Sequence, residues 1–495
     1  MAFAFCIVSC VNYLKPTILP QPKRELWQIE YNNPSDDPIV ANSLLLFVGN
    51  KGEASNRCEY IYAVDKNTGS VAWSSESFID QYCEHSQGPA YTVIISLSKT
   101  GDEIFVNTGY WTSDDNLDYI FYALNSSDGN LLWEVNGYAN YYFYEYTKIN
   151  TNNLYVVSKD GSFSAIDSQT GNQIWKQKIS RVDYYENIII DNYDQVVYYY
   201  YSGNDSLTAF DAMNGNQLWA ISNLNYTNRI MFSDKLIYLI SSSENIDKSN
   251  ITTIGSPFSI TALDTMTGNQ VWELLLEQKF PPWVSIIENK IYVLTHDGQG
   301  MFDDFKTLRS LFVLDKHNGE LLWQFNDNYL HGDINYLAQD NVVYIGTYDN
   351  FIFALDDETG KIIWQTQALG FPYYFYVEDS TLIVAYEKKY VSALDAKTGT
   401  QRWMLDAGIS AQFGYSENEF IIADNKVIYI ADILNPNVHA IDIMTGKELW
   451  SWNQNDIINN NSYSLKILNN GILYVDQYSR FERNNVLLAL KTNPK

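Results

Sequence analysis

Residues that commonly carry out catalysis do not fall into recognisable reaction-centre spacings in this 495-residue sequence. Its five histidines (His85, His296, His317, His331 and His439) are scattered, without the HExxH or HxH spacing of zinc sites. A GxSxG nucleophile motif and the glycine patterns that bind phosphates or dinucleotides are also missing from the sequence. The sequence therefore predicts no catalytic site and favours a binding function.

Aromatic side chains offer the clearest binding chemistry. They cluster in four segments that lie between the repeats described below, namely 138–146, 183–185, 280–283 and 371–376. Aromatic residues carry a large share of the energy at many binding surfaces, and their rings can stack on sugars or hold a peptide. The candidate contacts for a partner are Tyr142, Tyr144, Tyr184, Trp283, Tyr373 and Tyr374. The alternative is that these rings fill gaps between structural units.

The elements that must position these rings belong to a repeat. A phrase of eleven residues, such as ALDAKTGTQRW at 393–403, occurs nine times, with glycine at the seventh place and tryptophan at the eleventh. The nine tryptophans are 39 to 60 residues apart. A repeat of this length is typical of a solenoid or a propeller.

Each phrase predicts a β-hairpin. Its apolar start ends one strand, its Asp or Asn can bind the backbone amides just ahead, and its glycine supplies the positive φ that the reversal needs. The run up to the tryptophan returns as a second strand. Because two more apolar runs precede each hairpin, each repeat predicts four antiparallel strands in up-and-down order, which is a propeller blade. The predicted fold class is all-β.

The phrase resembles the tryptophan-docking motif of the PQQ-type, or quinoprotein-like, β-propeller family, and the resemblance covers about residues 23–491. In that family the tryptophan of one blade packs against the turn glycine of its neighbour. The resemblance implies this structural docking role for Trp27, Trp73, Trp133, Trp175, Trp219, Trp272, Trp323, Trp364, Trp403 and Trp450.

The two ends of the chain carry complementary parts of one repeat. RELWQIEY (24–31) contains Trp27 with no hairpin before it, whereas the phrase that starts at Ala489 ends before its glycine and tryptophan. Pairing the N-terminal strand with the C-terminal blade would close the ring and remove its exposed edges. The count is then ten repeat units in a single ring, within one domain at 23–495. Eight blades is the alternative, because propellers usually have four to eight.

One face of the predicted blades collects the variable segments. In an up-and-down blade, the connection between strands two and three shares a face with the connection between blades. Cys58 lies in a connection of the first kind and Cys83 in one of the second kind, so we expect a disulfide between them, with two free thiols as the alternative. Long insertions at 107–118, 241–257 and 296–310 fall on the same face. We therefore expect a partner to bind there.

The net charge of the chain restricts the class of partner that it can bind. The chain has 59 acidic and 32 basic residues and a formal net charge of −27. Such a surface repels nucleic acid and anionic lipid. The expected partner is therefore a protein or a glycan, and no nucleic acid.

The N-terminal segment 1–22 predicts a location. Its apolar run at 2–12 is too short to span a bilayer and lacks the positive start of a signal peptide. Its IVSC sequence looks like a bacterial lipobox, which would make Cys10 a lipid anchor. We expect a signal-like or anchor-like segment and a protein outside the cytoplasm, whether secreted, periplasmic or on the cell surface.

The resemblance implies two functions. Many members are PQQ- and calcium-dependent alcohol or sugar dehydrogenases, which typically carry an adjacent Cys–Cys disulfide over the cofactor; the sequence contains no such pair and no CxxCH haem motif. Members of the BamB-like branch bind protein partners and no quinone. We expect a non-catalytic binding or scaffold propeller without a cofactor, with a quinoprotein dehydrogenase that uses PQQ and calcium as the alternative.

Overall fold

A computed structural model describes most of the chain, and every regular element assigned in that part is a β-strand. The described residues are 25–32, 38–51, 58–76, 92–100, 102–111, 117–136, 153–158, 161–179, 188–193, 195–201, 206–222, 224, 227–242, 257–276, 282–296, 308–331, 334–386, 388–410, 421–432, 437–453, 461–479 and 484–492.

The strands in chain order are β1 Glu25–Asn32, β2 Ile39–Ala41, β3 Leu44–Lys51, β4 Cys58–Asp65, β5 Val71–Ser74, β6 Thr92–Thr100, β7 Glu103–Trp111, β8 Leu117–Asn125, β9 Leu131–Asn136, β10 Asn153–Ser158, β11 Ser162–Asp167, β12 Gln173–Lys178, β13 Ile188–Tyr193, β14 Val196–Tyr201, β15 Ser206–Asp211, β16 Gln217–Ile221, β17 Thr227–Ser233, β18 Leu236–Ser242, β19 Phe258–Asp264, β20 Gln270–Leu276, β21 Trp283–Ile287, β22 Lys290–His296, β23 Leu308–Asp315, β24 Leu321–His331, β25 Ile334–Gln339, β26 Val342–Thr347, β27 Phe351–Asp356, β28 Ile362–Gln367, β29 Pro372–Glu378, β30 Thr381–Tyr386, β31 Lys388–Asp395, β32 Gln401–Ser410, β33 Ile421–Asp424, β34 Val427–Asp432, β35 Asn437–Asp442, β36 Glu448–Asn453, β37 Asn461–Asn469, β38 Ile472–Ser479 and β39 Asn484–Lys491.

Consecutive strands pair antiparallel and form ten blades. Blades 1 to 9 are β2–β5, β6–β9, β10–β12, β13–β16, β17–β20, β21–β24, β25–β28, β29–β32 and β33–β36, and blade 10 is β37–β39 with β1. The described part of blade 3 contains three strands, and blades 1 and 2 share a sheet through one parallel pair, Cys58 with Thr92. The predicted all-β propeller of ten blades is confirmed, and the alternative of eight blades is wrong.

Blade 10 is built from both ends of the chain. Its strand order is β1-β39-β38-β37, and β1 runs antiparallel to β39 from the Glu25–Leu490 pair to the Asn32–Asn484 pair. Trp27 is almost completely buried in this blade. The predicted pairing of the N-terminal strand with the C-terminal blade is therefore confirmed.

Residue contacts divide the chain into two compact units. Unit 1 contains Met1–Tyr198, Phe210–Asn216 and Gln454–Lys495, and unit 2 contains Tyr199–Ala209 and Gln217–Asn453. Blades 1–3 and 10 therefore belong to unit 1 and blades 5–9 to unit 2, while the division passes through the strands of blade 4. The predicted boundary between 1–22 and 23–495 falls outside the described residues and stays a prediction.

The repeated phrase forms the hairpin between the third and fourth strands of a blade. In blade 7, the Asp356 carboxylate accepts hydrogen bonds from the amide and the hydroxyl of Thr359 at 2.9 and 2.6 Å, and Gly360 has a φ of 65°. A bulge between Ala354 and Leu355 completes the reversal. This geometry explains why the phrase needs Asp, Thr and Gly at fixed spacing.

Nine tryptophans lie against the turn glycine of the following blade. A Cβ atom added to any of these glycines would come within 2.4–2.7 Å of an indole carbon. Each indole Nε1 also donates a hydrogen bond of 2.7–3.2 Å to the carbonyl of the fourth residue of the neighbouring phrase. The pairs are Trp27–Gly69, Trp73–Gly129, Trp133–Gly171, Trp175–Gly215, Trp219–Gly268, Trp272–Gly319, Trp323–Gly360, Trp364–Gly399 and Trp403–Gly446. The tenth, Trp450, is buried beside Tyr429, with ring centres 5.9 Å apart.

Removal of the N-terminal strand tests the composite blade. Deleting residues 1–31 removes the buried Trp27 and Ile29 side chains, whose burial contributes about 3–6 kcal/mol together, and exposes the edge of β39. We expect a sharply lower melting temperature and concentration-dependent oligomers in light scattering. A chain lacking only residues 1–22 is the control and should melt like the full chain. A monomeric 1–31 deletion of unchanged stability would contradict the role of β1.

Substitutions at two glycines distinguish the stability cost of backbone strain from the cost of lost tryptophan docking. Gly360 and Gly471 both have positive φ, but an added Cβ lies 2.6 Å from Trp323 in the first case and 3.4 Å from Thr492 in the second. We expect Gly471→Ala to cost about 1 kcal/mol through φ strain alone. Gly360→Ala should cost about 3 kcal/mol, because displacement of the indole adds to the strain. Urea unfolding of both variants measures the difference, and equal losses would show that docking contributes nothing at Gly360.

Candidate functional site

Each blade has a turn end and a loop end. In blades 1, 2 and 4–10, the fourth residue of the phrase donates its amide hydrogen bond to the turn between the first and second strands. In blade 6, for example, the Lys316 amide binds the Asn289 carbonyl at 3.1 Å. Both turns of a blade therefore lie at one end, which we call the turn end. The connections between strands two and three, and between blades, leave the opposite end, which we call the loop end.

Trp283 is the first residue of β21 and lies at the loop end of blade 6. It is 70% exposed, and the other exposed large hydrophobic side chains in the described ranges are aliphatic residues or methionines. An indole ring that contacts so little of its own protein contributes little to folding. It is therefore available to a partner at the position that the sequence analysis proposed.

The first strands of blades 5 to 8 are joined to one another by side chains. Arg229 of β17 donates from Nη1 to the Val284 carbonyl of β21 at 2.9 Å. The Ser285 hydroxyl of β21 binds the Tyr336 hydroxyl of β25.

The same arrangement continues from β25 to β29. Asn335 donates a hydrogen bond to the Tyr373 carbonyl of β29, and Gln339 donates one to the Val377 carbonyl at 3.3 Å. These side-chain bonds hold Trp283 in a row of connected strands, so the ring occupies a supported position.

Tyr373 and Tyr374 follow Pro372, the first residue of β29, at the loop end of blade 8 and are only half-buried. Burial, together with the nearby Tyr376 hydroxyl, raises the pKa of Tyr374 to about 12. A Cβ added to Gly346 would lie 2.8 Å from Pro372, so β29 lies directly against the second strand of blade 7. These two tyrosines therefore contribute to packing as well as to the surface.

The remaining candidates lie outside the described residues. Tyr142, Tyr144, Tyr184 and Cys83 are in that group, as is Cys10. Cys58 begins β4, and its disulfide with Cys83 stays a prediction. The described candidates Trp283, Tyr373 and Tyr374 share the loop end of blades 6 and 8.

The sequence analysis missed a second aromatic ring, a tyrosine, that contacts the docked tryptophan in five of the ten blades. In blade 5, Tyr238 of the second strand lies opposite Ala262, which lies opposite Trp272 of the fourth strand. The small alanine lets the two rings meet, with centres 6.0 Å apart. The Tyr238 hydroxyl then donates to the Lys316 carbonyl at 3.1 Å, the same carbonyl that accepts the Trp272 Nε1 bond.

The same tyrosine–tryptophan contact recurs in blades 3, 7, 9 and 10, with ring centres 5.9–6.1 Å apart. Its sequence signal is a tyrosine after an apolar residue in the second strand, as in LIYLI (236–240) and ILYVD (472–476). The alanine that starts most phrases is therefore needed for ring contact as well as for the strand.

Metal ligands do not gather in the described part of the chain. No group of three or more His, Cys, Asp or Glu side chains there is arranged to hold a metal ion. His317 lies in a hairpin turn, and the His439 Nδ1 atom lies 2.7 Å from Glu448. Calcium, the metal of the dehydrogenase alternative, prefers several carboxylate and carbonyl oxygens, which these two histidines do not supply.

Four-stranded blades joined by tryptophan–glycine docking define the PQQ-type class of β-propellers. A family profile described as outer membrane protein assembly factor BamB matches residues 120–279 and 309–481, which is more than half of the chain. The chain belongs to this family. The predicted family is thereby confirmed, and membership supports a scaffold or binding role for the propeller.

Solved structures with related folds are distant. The chain is similar to BamB from Moraxella catarrhalis, at 14% identity and a TM-score of 0.35, covering 81% of this chain and 98% of that one. It is also similar to quinohemoprotein alcohol dehydrogenase from Comamonas testosteroni, at 12% identity and a TM-score of 0.40, covering 82% and 76%. TM-scores below 0.5 carry no functional information. No curated protein sequence matches the chain significantly.

None of the described segments forms a helix that is long and apolar enough to cross a bilayer.

Two tyrosine substitutions test the hydrogen bond to the Lys316 carbonyl, which Tyr238 shares with Trp272. Tyr238→Phe removes the hydroxyl bond to Lys316 and should cost about 1 kcal/mol of unfolding free energy. The matched control is Tyr474→Phe, because the buried Tyr474 hydroxyl has no hydrogen-bond partner in the described structure while its ring contacts Trp27. Removing an unsatisfied hydroxyl should be neutral or slightly stabilising. Equal losses in urea unfolding would contradict a specific role for the Tyr238 hydroxyl.

Proposed function

We propose that the protein is a non-catalytic binding or scaffold propeller that acts outside the cytoplasm and holds a protein partner at the loop end of blades 6 to 8. The observation that carries the proposal is Trp283, which is 70% exposed at the start of a strand supported by side-chain bonds on both sides. Burial of this ring by a partner would contribute about 2–3 kcal/mol.

Family membership supports a protein as the partner. The family description names an assembly factor for outer membrane proteins, which is an activity performed on other proteins in the cell envelope. We extend to this chain the binding of a protein and the location outside the cytoplasm, and no particular assembly step. The net charge of −27 favours a neutral or basic partner over nucleic acid or anionic lipid.

The described loop end of blades 7 and 8 supplies further apolar contact area. Tyr348 and Phe371 lie with ring centres 6.0 Å apart, and Leu369, two residues before Phe371 in the chain, is 45% exposed. Tyr373 and Tyr374 follow directly in the chain. A partner that covers Trp283 and extends along the first strands would therefore meet a second aromatic surface.

Capture with site variants tests the proposal. The tagged protein would be used to capture partners from the native cell envelope or culture medium, in parallel with Trp283→Ala and with Leu275→Ala. Leu275 is the control, because it is 58% exposed on β20, the fourth strand of blade 5. We expect Trp283→Ala to lower affinity for the captured protein at least tenfold, about 1.4 kcal/mol, with an unchanged melting curve. Leu275→Ala should bind normally.

Three results would contradict the proposal. A Trp283→Ala protein that captures its partner as the unmodified protein does would place the site elsewhere. A large loss of stability in the same variant would make the ring part of the core. Reduction of an artificial electron acceptor after addition of PQQ and calcium, with the absorption spectrum of a bound quinone, would establish the dehydrogenase alternative instead.

A further inference from the structure

Arg229 lies beside the exposed tryptophan and keeps most of its hydrogen-bonding capacity. It belongs to β17, the first strand of blade 5, and its side chain is exposed. Its Nη1 atom donates to the carbonyl of Val284, the residue that follows Trp283. A guanidinium has five N–H donors in one plane, so this bond fixes the group next to Trp283 and leaves other donors for a ligand.

Several other basic side chains of unit 2 are already paired with carboxylates. Lys290 contacts Asp357 and Glu358 at 2.9 and 2.8 Å, and Arg402 contacts Asp395 at 2.6 Å. Arg229, by contrast, has no carboxylate partner among the residues that the structure describes. In a chain with 59 acidic residues and 32 basic ones, this is a charge left available at the candidate site.

The chemistry of the pair defines its ligand. The planar guanidinium matches a carboxylate through two parallel hydrogen bonds, and an exposed indole ring packs against an apolar side chain. We propose that Arg229 and Trp283 together recognise a peptide segment of the partner in which one carboxylate lies next to an aromatic or aliphatic residue. This inference rests on the proposed function and specifies the chemistry of its partner.

The surrounding charge limits the segment to one acidic residue. A polyanion would be repelled by the net charge of −27, whereas a segment that also carries basic residues would be attracted. A single guanidinium can neutralise a single carboxylate. The occupant is therefore a neutral or basic segment with one Asp or Glu, rather than an acidic tail or a phosphate-rich chain.

Two matched peptides test the recognition. Calorimetry would compare Ac-Lys-Phe-Glu-Phe-Lys-NH2 with the same peptide carrying Gln in place of Glu. We expect the Glu peptide to bind the unmodified protein at least tenfold more tightly. Arg229→Gln should remove this preference, and Trp283→Ala should weaken both peptides about equally. Arg402→Gln is the control, since Arg402 is paired with Asp395, and should keep the preference.

Several outcomes would overturn the inference. Equal affinity of the two peptides, failure of both to bind, or a preference that persists in Arg229→Gln would each exclude carboxylate recognition by this pair. Binding of oligogalacturonate that depends on both residues, without peptide binding, would assign the site to an acidic glycan. The capture experiment separates this from the proposed function: loss of the partner in Trp283→Ala but not in Arg229→Gln would retain the binding site and exclude the role of Arg229.

Discussion

Docking of an indole ring on a turn glycine is the contact on which the rest of the structure depends. The glycine has no side chain, so the ring approaches the backbone closely, and the indole N–H is satisfied by a carbonyl of the same turn. A large apolar surface is therefore buried without leaving a donor unpaired. In several blades the ring also meets a tyrosine of its own second strand across a small alanine. One contact thus connects three strands of a blade with a turn of the next.

This contact constrains the two ends of the blades differently. At the turn end, the Asp, Thr and Gly of the phrase must keep their spacing, because a displaced glycine could not receive its tryptophan. Charged contacts such as Lys290 with Asp357 add to the packing there, and hydrogen bonds to Glu358 and Asp357 raise the pKa of Lys290 despite the opposing effect of burial. Among the residues that the structure describes, the tryptophan–glycine contacts lie at the turn end and none lies at the loop end. Residues there can change without disturbing the docking.

The candidate site combines a variable position at the loop end with a strand that is held by its neighbours. Its exposed ring, Trp283, belongs to the variable end, while the strand that carries it is connected to β17 and β25 by Arg229 and Ser285. A supported ring loses little conformational freedom when a partner covers it, and this lowers the cost of binding. Family membership supports a binding or scaffold role for the propeller, and we propose that this role is performed around Trp283.

Much of the fold of this protein could be predicted from its sequence alone. The phrase with glycine and tryptophan at fixed places predicted the hairpins, the ten blades and the joining of the two chain ends, because these features depend on local turn chemistry and on repetition. The sequence also proposed Trp283, Tyr373 and Tyr374 as partner contacts on the face that carries the long insertions. Only the tertiary structure distinguished the exposed ring from the half-buried tyrosines, since burial depends on how closely β29 approaches Gly346. It alone placed Arg229 beside Trp283, because residues more than fifty positions apart meet through strand packing that no local pattern encodes.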